Sequence, residues 1–225
     1  MLIDLNAVSV AFDGKTALDG VSVKLDQKRI GVIGLNGSGK STFARLLNGL
    51  VTPTSGLVTV GGINPAKDAK AARRQTGFIF SNPDVQIIMP TVLEDVAFSL
   101  RSSGLSTGDI QTRALAVLQR FKIDHLADQA AHSLSGGQKQ LLAISAIVVA
   151  EPKLIVADEP TAMLDLTNSR RVAEVLLDEL EQQVVLVTHD LNLAANCDII
   201  LRFAGAKLVE FGEPAPIISA YLAEN

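Results

Sequence analysis

Residues 29–42 read Arg29-Ile30-Gly31-Val32-Ile33-Gly34-Leu35-Asn36-Gly37-Ser38-Gly39-Lys40-Ser41-Thr42. Arg29 to Ile33 is a short apolar strand that passes into a glycine-rich turn. Beyond the turn, Phe43, Leu46, Leu47 and Leu50 recur at the i, i+3, i+4, i+7 spacing of one helix face. Strand, glycine loop and helix make the half-unit of an α/β fold. From Gly34 onward, two glycines bracket four residues and are followed by lysine and serine, the spacing of a phosphate cradle. Gly37 and Gly39 are expected to take positive φ, turning successive backbone N–H groups inward, while the helix that follows aims its positive end at the same anion. Lys40 then reaches the terminal phosphates of a nucleotide, and the Ser41 hydroxyl takes a position on Mg²⁺.

Upstream of this core the pattern is that of an antiparallel hairpin. Val8, Val10 and Phe12, then Val21, Val23 and Leu25, alternate in the strand sense around a turn at Asp13-Gly14. Downstream, apolar strands are expected at 57–60, 77–80, 154–157 and 184–187, with a second hairpin, 198–203 and 207–211, around Gly205. The unbroken run Leu154-Ile155-Val156-Ala157 suits a strand covered on both faces. Between Pro83 and Glu151 the period is helical, through Ile110, Ala114, Val117, Leu118 and Phe121 and again over 137–150. Residues 83–151 are therefore expected to form a helical lobe inserted in a single sheet-based domain that spans 1–225.

The composition excludes several classes of protein. The chain has 225 residues, 48% hydrophobic and 20% charged, which rules out a disordered, collagen-like or low-complexity chain. Its net charge of −4 offers no positive field to a nucleic-acid backbone, so no nucleic-acid partner is expected. Cys197 is the single cysteine, which excludes an internal disulfide and a four-cysteine zinc site and fits a buried small side chain in a reducing compartment. The most apolar stretch, 141–150, stops at Glu151-Pro152, short of the ~18 residues a membrane span needs. A cytosolic chain that does not itself cross a membrane is expected.

Two further constellations carry chemistry. The strand 154–157 ends in Asp158-Glu159. In isolation such a pair reads as a solvated turn or a helix cap. Beside a phosphate cradle, Asp158 is placed to hold the water shell of Mg²⁺, and Glu159 to orient or deprotonate a water that attacks the γ-phosphorus. Leu134-Ser135-Gly136-Gly137-Gln138 stands directly before a helix. Ser135 is either a plain N-cap or, with the two glycines, part of a second anion site. One nucleotide does not need two such helix ends from one chain, so a second site would serve a neighbour's nucleotide.

These motifs, in this order, resemble the nucleotide-binding subunits of ABC (ATP-binding cassette) transporters over essentially the whole chain. The resemblance implies a P-loop NTPase (RecA-like) α/β core with an N-terminal antiparallel β subdomain and an inserted helical subdomain, and an Mg²⁺-dependent ATPase. It implies that Gly34 to Thr42 are Walker A, Leu134 to Gln138 the signature that meets a partner's ATP, and Asp158-Glu159 Walker B with its base. Thr161 to Asp165, reading TAMLD, is similar to the D-loop of the dimer, and His189 in Thr188-His189-Asp190 to the switch histidine near the γ-phosphate. Phe12 resembles the aromatic that stacks on adenine, where the family more often has tyrosine; a core phenylalanine is the competing reading. His125 and His132 lie in no such frame and read as loop histidines.

One position departs from the family. After the strand 77–80 the family places a glutamine, and this chain has Ser81. The segments Asn82 to Gln86 and Pro90 to Phe98 resemble the ATPases of energy-coupling-factor importers of vitamins and metal ions, most of all those of biotin systems. Gln86 is accordingly a candidate for contact with a membrane partner, or else a plain solvated side chain. The resemblance implies integral membrane transmembrane-coupling and substrate-binding subunits as partners, a homodimer or a heterodimer with a related ATPase, and a peripheral location on the cytoplasmic side of the cell membrane. A soluble cassette ATPase of DNA repair, translation or cluster assembly is the alternative. It is disfavoured by the single cassette and by the absence of a heptad-bearing insertion between Lys40 and Asp158. A GTPase is disfavoured because no Asn-Lys-x-Asp sequence occurs. Lys67, Lys70, Arg73 and Arg74 read as a solvated helix face or as a contact for lipid headgroups.

Overall fold

The opening alternation folds into two antiparallel strands, Ile3–Phe12 (β1) and Lys15–Leu25 (β2), joined at Asp13-Gly14. Ser55–Val60 (β4) pairs with the other edge of β1, giving a three-stranded antiparallel sheet in the order β2-β1-β4. A second sheet has six strands. Arg29–Gly34 (β3) lies between Gln183–Val187 (β7) and Ile199–Ala204 (β8), parallel to both. Leu154–Asp158 (β6) pairs parallel with β7, Thr76–Ile79 (β5) lies beyond β6, and Lys207–Gly212 (β9) closes the other edge antiparallel to β8. Every residue of β3, β6 and β7 is buried, which is why these strands read as continuous apolar runs rather than alternating ones.

The computed structural model describes residues 1–224, divided between two compact units. The first holds residues 1–78, 153–159 and 180 onward, and so both sheets. In it the helix Lys40–Leu46 (α1) lies against β3, β6 and β7, and Phe43 meets Phe203 of β8 with ring centroids 5.3 Å apart. The short helices Ala69–Gln75 (α2) and Leu191–Ala194 (α7) and the terminal helix Pro214–Glu224 (α8) complete it. Arg202 of β8 fastens α8 through an ion pair to Glu224 while its Nε donates to Glu210 at 2.8 Å.

The second unit, residues 79–152 and 160–179, is helical. Val92–Phe98 (α3) begins with a reciprocal capping box between Thr91 and Glu94, and Thr107–Arg120 (α4) is capped by Ser106. Gly136–Val148 (α5) packs against α3, α4 and Leu166–Glu174 (α6), which runs on into a π-helical turn at Val175–Glu179. The buried carboxylate of Asp95 accepts the backbone N–H groups of Ile88 and Met89, both at 2.9 Å, and so pins the segment that leads into α3.

The α/β class and the antiparallel hairpin agree with the sequence reading, while several element boundaries differ from it by one or more residues. The lobe expected at 83–151 takes in 79–152 and also 160–179, because α6 packs on α5. The strand expected at 77–80 runs from Thr76 to Ile79. The helix after the glycine loop stops at Leu46 rather than reaching Leu50, which is 45% exposed beyond the left-handed Gly49. The basic residues Lys67, Lys70, Arg73 and Arg74 are all exposed on and just before α2. No helix among the described residues is long and apolar enough to cross a membrane.

Because Phe43 is fully buried in the contact between α1 and β8, Phe43→Ala is expected to lower the free energy of unfolding by ~3–5 kcal/mol. A urea titration of both proteins checks this; a loss below ~1 kcal/mol would mean that the ring does not hold α1 on the sheet.

Candidate nucleotide site

The parallel register decides where the chemistry can gather. Val32 of β3 lies opposite Val187 of β7, and Val187 lies opposite Asp158 of β6. β6 and β7 therefore end level while β3 runs two residues further, and the glycine loop, the Asp158-Glu159 pair and Thr188-His189 leave the sheet at the same edge, the edge where open α/β sheets bind ligands. The close approach of β8 makes glycine obligatory at the start of the loop: a Cβ on Gly34 would lie 2.2 Å from the Phe203 carbonyl oxygen. Gly39 takes φ +108°, and a Cβ there would sit 2.7 Å from the Ala17 carbonyl oxygen. Gly37 is also left-handed, at φ +78°.

A cavity of about 330 Å³ opens along this loop, lined by Asn36 to Thr42, Glu159, Phe12 and the residues Lys15, Thr16 and Ala17. Leu35 is exposed and Gly34 is buried at the strand end, and neither lines this cavity. A larger depression, lined by Lys28, Lys153 and Gln183 among others, borders the starts of β3, β6 and β7 and has none of these groups. Lys40 is buried and folds back over the loop, its Nζ donating to the carbonyl oxygens of Gly34 at 2.7 Å and Leu35 at 3.0 Å. Burial holds its ammonium below the usual lysine range, opposed by the nearby carboxylates of Glu159 and Asp158. Polyphosphate brought to this nitrogen would favour its charged form. Ser38 Oγ is buried with no protein partner among the described residues, which suits a loop built around a polar ligand.

The donor set also fits magnesium. Ser41 Oγ donates a hydrogen bond to Asp158 Oδ1 at 2.9 Å, so a hydroxyl and a carboxylate, both oxygen donors of the kind magnesium and its water shell take, stand side by side. Asp158 is buried at the end of β6, with Arg45 4.0 Å from its second oxygen.

Glu159 departs from ordinary backbone. It takes φ +52°, a conformation costing a non-glycine residue ~1–3 kcal/mol, while its N–H donates to the Val187 carbonyl at 2.9 Å. The turn swings its side chain to His189, whose Nδ1 stands 2.7 Å from Glu159 Oε2. An ionised carboxylate only accepts, so this contact places the imidazole proton on Nδ1 and leaves Nε2 directed elsewhere. His125 and His132, expected in loops, are exposed on the short 3-10 turns Asp124–Leu126 and Ala131–Ser133 of the helical unit.

Phe12 ends β1 and is 50% exposed on the cavity wall, so the core reading fails. Lys15, Thr16 and Ala17 escaped the sequence reading, although the turn at Asp13-Gly14 implies the observed pairing of Phe12 with Lys15. In the helical unit, Ser135 and Gln138 form a reciprocal capping box: Gln138 Oε1 accepts the Ser135 N–H at 2.9 Å, and Ser135 Oγ accepts the Gln138 N–H at 3.4 Å. Leu134 is buried just before it. Asp165 caps α6. Ser81 is exposed, and the turn it follows is braced from both sides. Gln86 Oε1 accepts the Phe80 N–H at 3.4 Å while its Nε2 donates to the Ala143 carbonyl at 3.3 Å, and Gln140 donates to the Phe80 carbonyl at 3.3 Å. Gln86 is thus directed inward rather than solvated.

The profile of the ABC transporter family matches residues 18–162, and the chain belongs to that family. It is 45% identical over 98% of its length, and 97% of the relative's, to a putative ABC transporter ATP-binding protein of Bartonella quintana. It is 42% identical, over 98% of each chain, to the biotin transport ATP-binding protein BioM of Rhizobium etli. Among solved structures it is similar to CbiO1 of Clostridium perfringens, part of the CbiONQ ABC transporter complex, with TM-score 0.88 and 29% identity over 98% of this chain and 92% of that one. It also matches an ATP-binding cassette solved as a dimer in a post-hydrolysis state bound to ADP and Pi, with TM-score 0.81 and 27% identity over 94% of this chain and 98% of that one.

Since the Phe12 ring forms part of the cavity wall, Phe12→Ala is expected to raise the dissociation constant for ATP by ~10-fold while leaving thermal unfolding unchanged. Titration with a fluorescent ATP analogue checks it; unchanged affinity would remove Phe12 from the site.

Proposed function

We propose that this chain is the Mg²⁺-dependent ATPase subunit that energises a separate membrane importer of the energy-coupling-factor type, carrying a vitamin or metal ion, with biotin the first cargo to test. The observation that carries the hydrolytic part is the pair of contacts at one sheet edge, Ser41 to Asp158 at 2.9 Å and Glu159 to His189 at 2.7 Å, beside the Lys40 cradle. Similarity to BioM and to CbiO1 supports the importer class and puts biotin ahead of other cargoes.

In this reading Phe12 stacks on adenine, and the loop Gly34 to Thr42 wraps the phosphates. Lys40 exchanges its two carbonyl partners for phosphate oxygens. Ser41 and Asp158 hold Mg²⁺, which when bound supplies charge neutralisation on the transferred phosphoryl group. Glu159 orients the attacking water and accepts its proton, and His189 keeps that carboxylate in place. Leu134 to Gln138, with Asp165 of the D-loop, meet the ATP of a second chain, so that a head-to-tail homodimer builds two sites. The dimeric cassette with ADP and Pi supports that arrangement. The exposed Val85 and Ile88, on the turn braced by Gln86, are the apolar contacts offered to the membrane partner, on the cytoplasmic side of the cell membrane.

Glu159→Gln is expected to bind Mg-ATP, to hydrolyse it at least ~10²-fold more slowly and to accumulate as a dimer by light scattering. Lys40→Ala should lose tight binding, and Ser81→Ala should cost less than ~10-fold in turnover, since a serine is shorter than the glutamine the family places there. Near-normal turnover by Glu159→Gln would remove Glu159 as the base.

A further inference from the structure

The start of α6 is built against the first turn of α5, and the contact explains why residue 137 is glycine. Neither Gly136 nor Gly137 takes a left-handed backbone, so conformational freedom is not what glycine provides there. A Cβ on Gly137 would instead fall 2.0 Å from Asn168 Oδ1, 2.2 Å from its Cγ and 2.7 Å from its Cβ. The Asn168 carboxamide occupies the place of the missing side chain. On Gly136 a Cβ would lie 3.5 Å from Leu164 Cδ2, an ordinary contact, so the steric requirement is confined to the second glycine.

The carboxamide cannot swing away without breaking other bonds. Asn168 Nδ2 donates to Asp165 Oδ2 at 2.7 Å, and the Asn168 backbone N–H donates to Asp165 Oδ1 at 2.9 Å. The backbone bond, then the side-chain bond, hold the Asp165 carboxyl below the usual range, so it is an acceptor at neutral pH. Turning the amide over would set its oxygen against that carboxylate, which fixes Nδ2 toward Asp165 and Oδ1 toward Gly137. Ser169 Oγ lies 3.4 Å from the carbonyl oxygens of both Thr161 and Leu164, tying the preceding loop to the same helix.

We propose that Asn168 is a positioning residue for the composite ATP site: clamped by Asp165, its carboxamide sets the place of Gly137 and joins residues 134–138 and 161–165 into one rigid recognition element presented to the ATP held by a second copy of the chain. This rests on the proposed composite site. Asn168 acts through Gly137 and Asp165, not by touching nucleotide. Its loss should therefore leave the chain's own cradle intact and weaken the ATP-dependent association of two chains.

The test adds Asn168→Ala, Asn168→Asp and Gly137→Ala separately to Glu159→Gln. A fluorescent ATP analogue reports binding at protein concentrations where the chain is monomeric, and sedimentation velocity with Mg-ATP reports dimerisation. In the two Asn168 variants monomer binding should stay within ~2-fold of the Glu159→Gln parent, while the protein concentration needed for dimer rises at least ~10-fold in all three. Pairing Gly137→Ala with Asn168→Gly should recover part of the loss, because the clashing side chain is gone. Dimerisation of both Asn168 variants at the parent's concentration would overturn the inference alone. Equal loss of monomer binding would overturn it in favour of a general structural role. Failure of the Glu159→Gln parent to dimerise would overturn the composite-site reading itself.

Discussion

The parallel pairing of β3, β7 and β6 is the constraint on which the site depends. With Val32, Val187 and Asp158 level across three strands, the glycine loop, Asp158, Glu159 and His189 emerge at one sheet edge although they lie far apart in sequence. A shift of one strand by a single residue would reverse the facing of its side chains and separate Ser41 from Asp158. The buried apolar faces of these strands make that shift costly, so hydrophobic packing of the sheet sets the geometry of the polar site. The Phe43–Phe203 contact and the approach of Phe203 to Gly34 fix α1 and the loop to the same frame.

Charge is arranged around that frame in tension. Lys40 is buried among carbonyl oxygens, and desolvation weakens its hold on a proton, while Asp158 and Glu159 oppose that effect. Glu159 bears a left-handed backbone that the neighbouring strand enforces through the Val187 carbonyl. A bound polyphosphate would offset the desolvation of Lys40 by giving its ammonium an anionic partner. The cradle is preorganised for a ligand more highly charged than any group it holds itself.

Much of this was legible in the residues. The spacing from Gly34 to Ser41 announced the cradle, because a loop that wraps phosphate has few chemical solutions, and the unbroken apolar run before Asp158 announced a central strand. Sheet order and register were not legible, since parallel pairing is settled by packing between segments remote in sequence. The lobe boundary was misplaced for a related reason: α6 follows β6 in the chain but packs on α5. Gly37-Ser38-Gly39 and Gly136-Gly137 looked alike in sequence as glycines before a helix, yet their reasons differ. Gly37 answers a backbone conformation, and Gly137 answers the bulk of Asn168, a residue whose type and neighbours carry no motif. Gln86 looked like a surface group until Phe80 and Ala143 showed where its amide goes.

The central claim is that the hydrolytic site is shared between two chains. It is tested most directly by measuring ATP turnover per chain, at saturating Mg-ATP, over a wide range of protein concentration. A shared site predicts turnover per chain that rises in proportion to protein concentration and then levels off as dimer saturates. Turnover per chain that is constant down to the lowest concentration would show that one chain hydrolyses ATP alone, and would contradict the account.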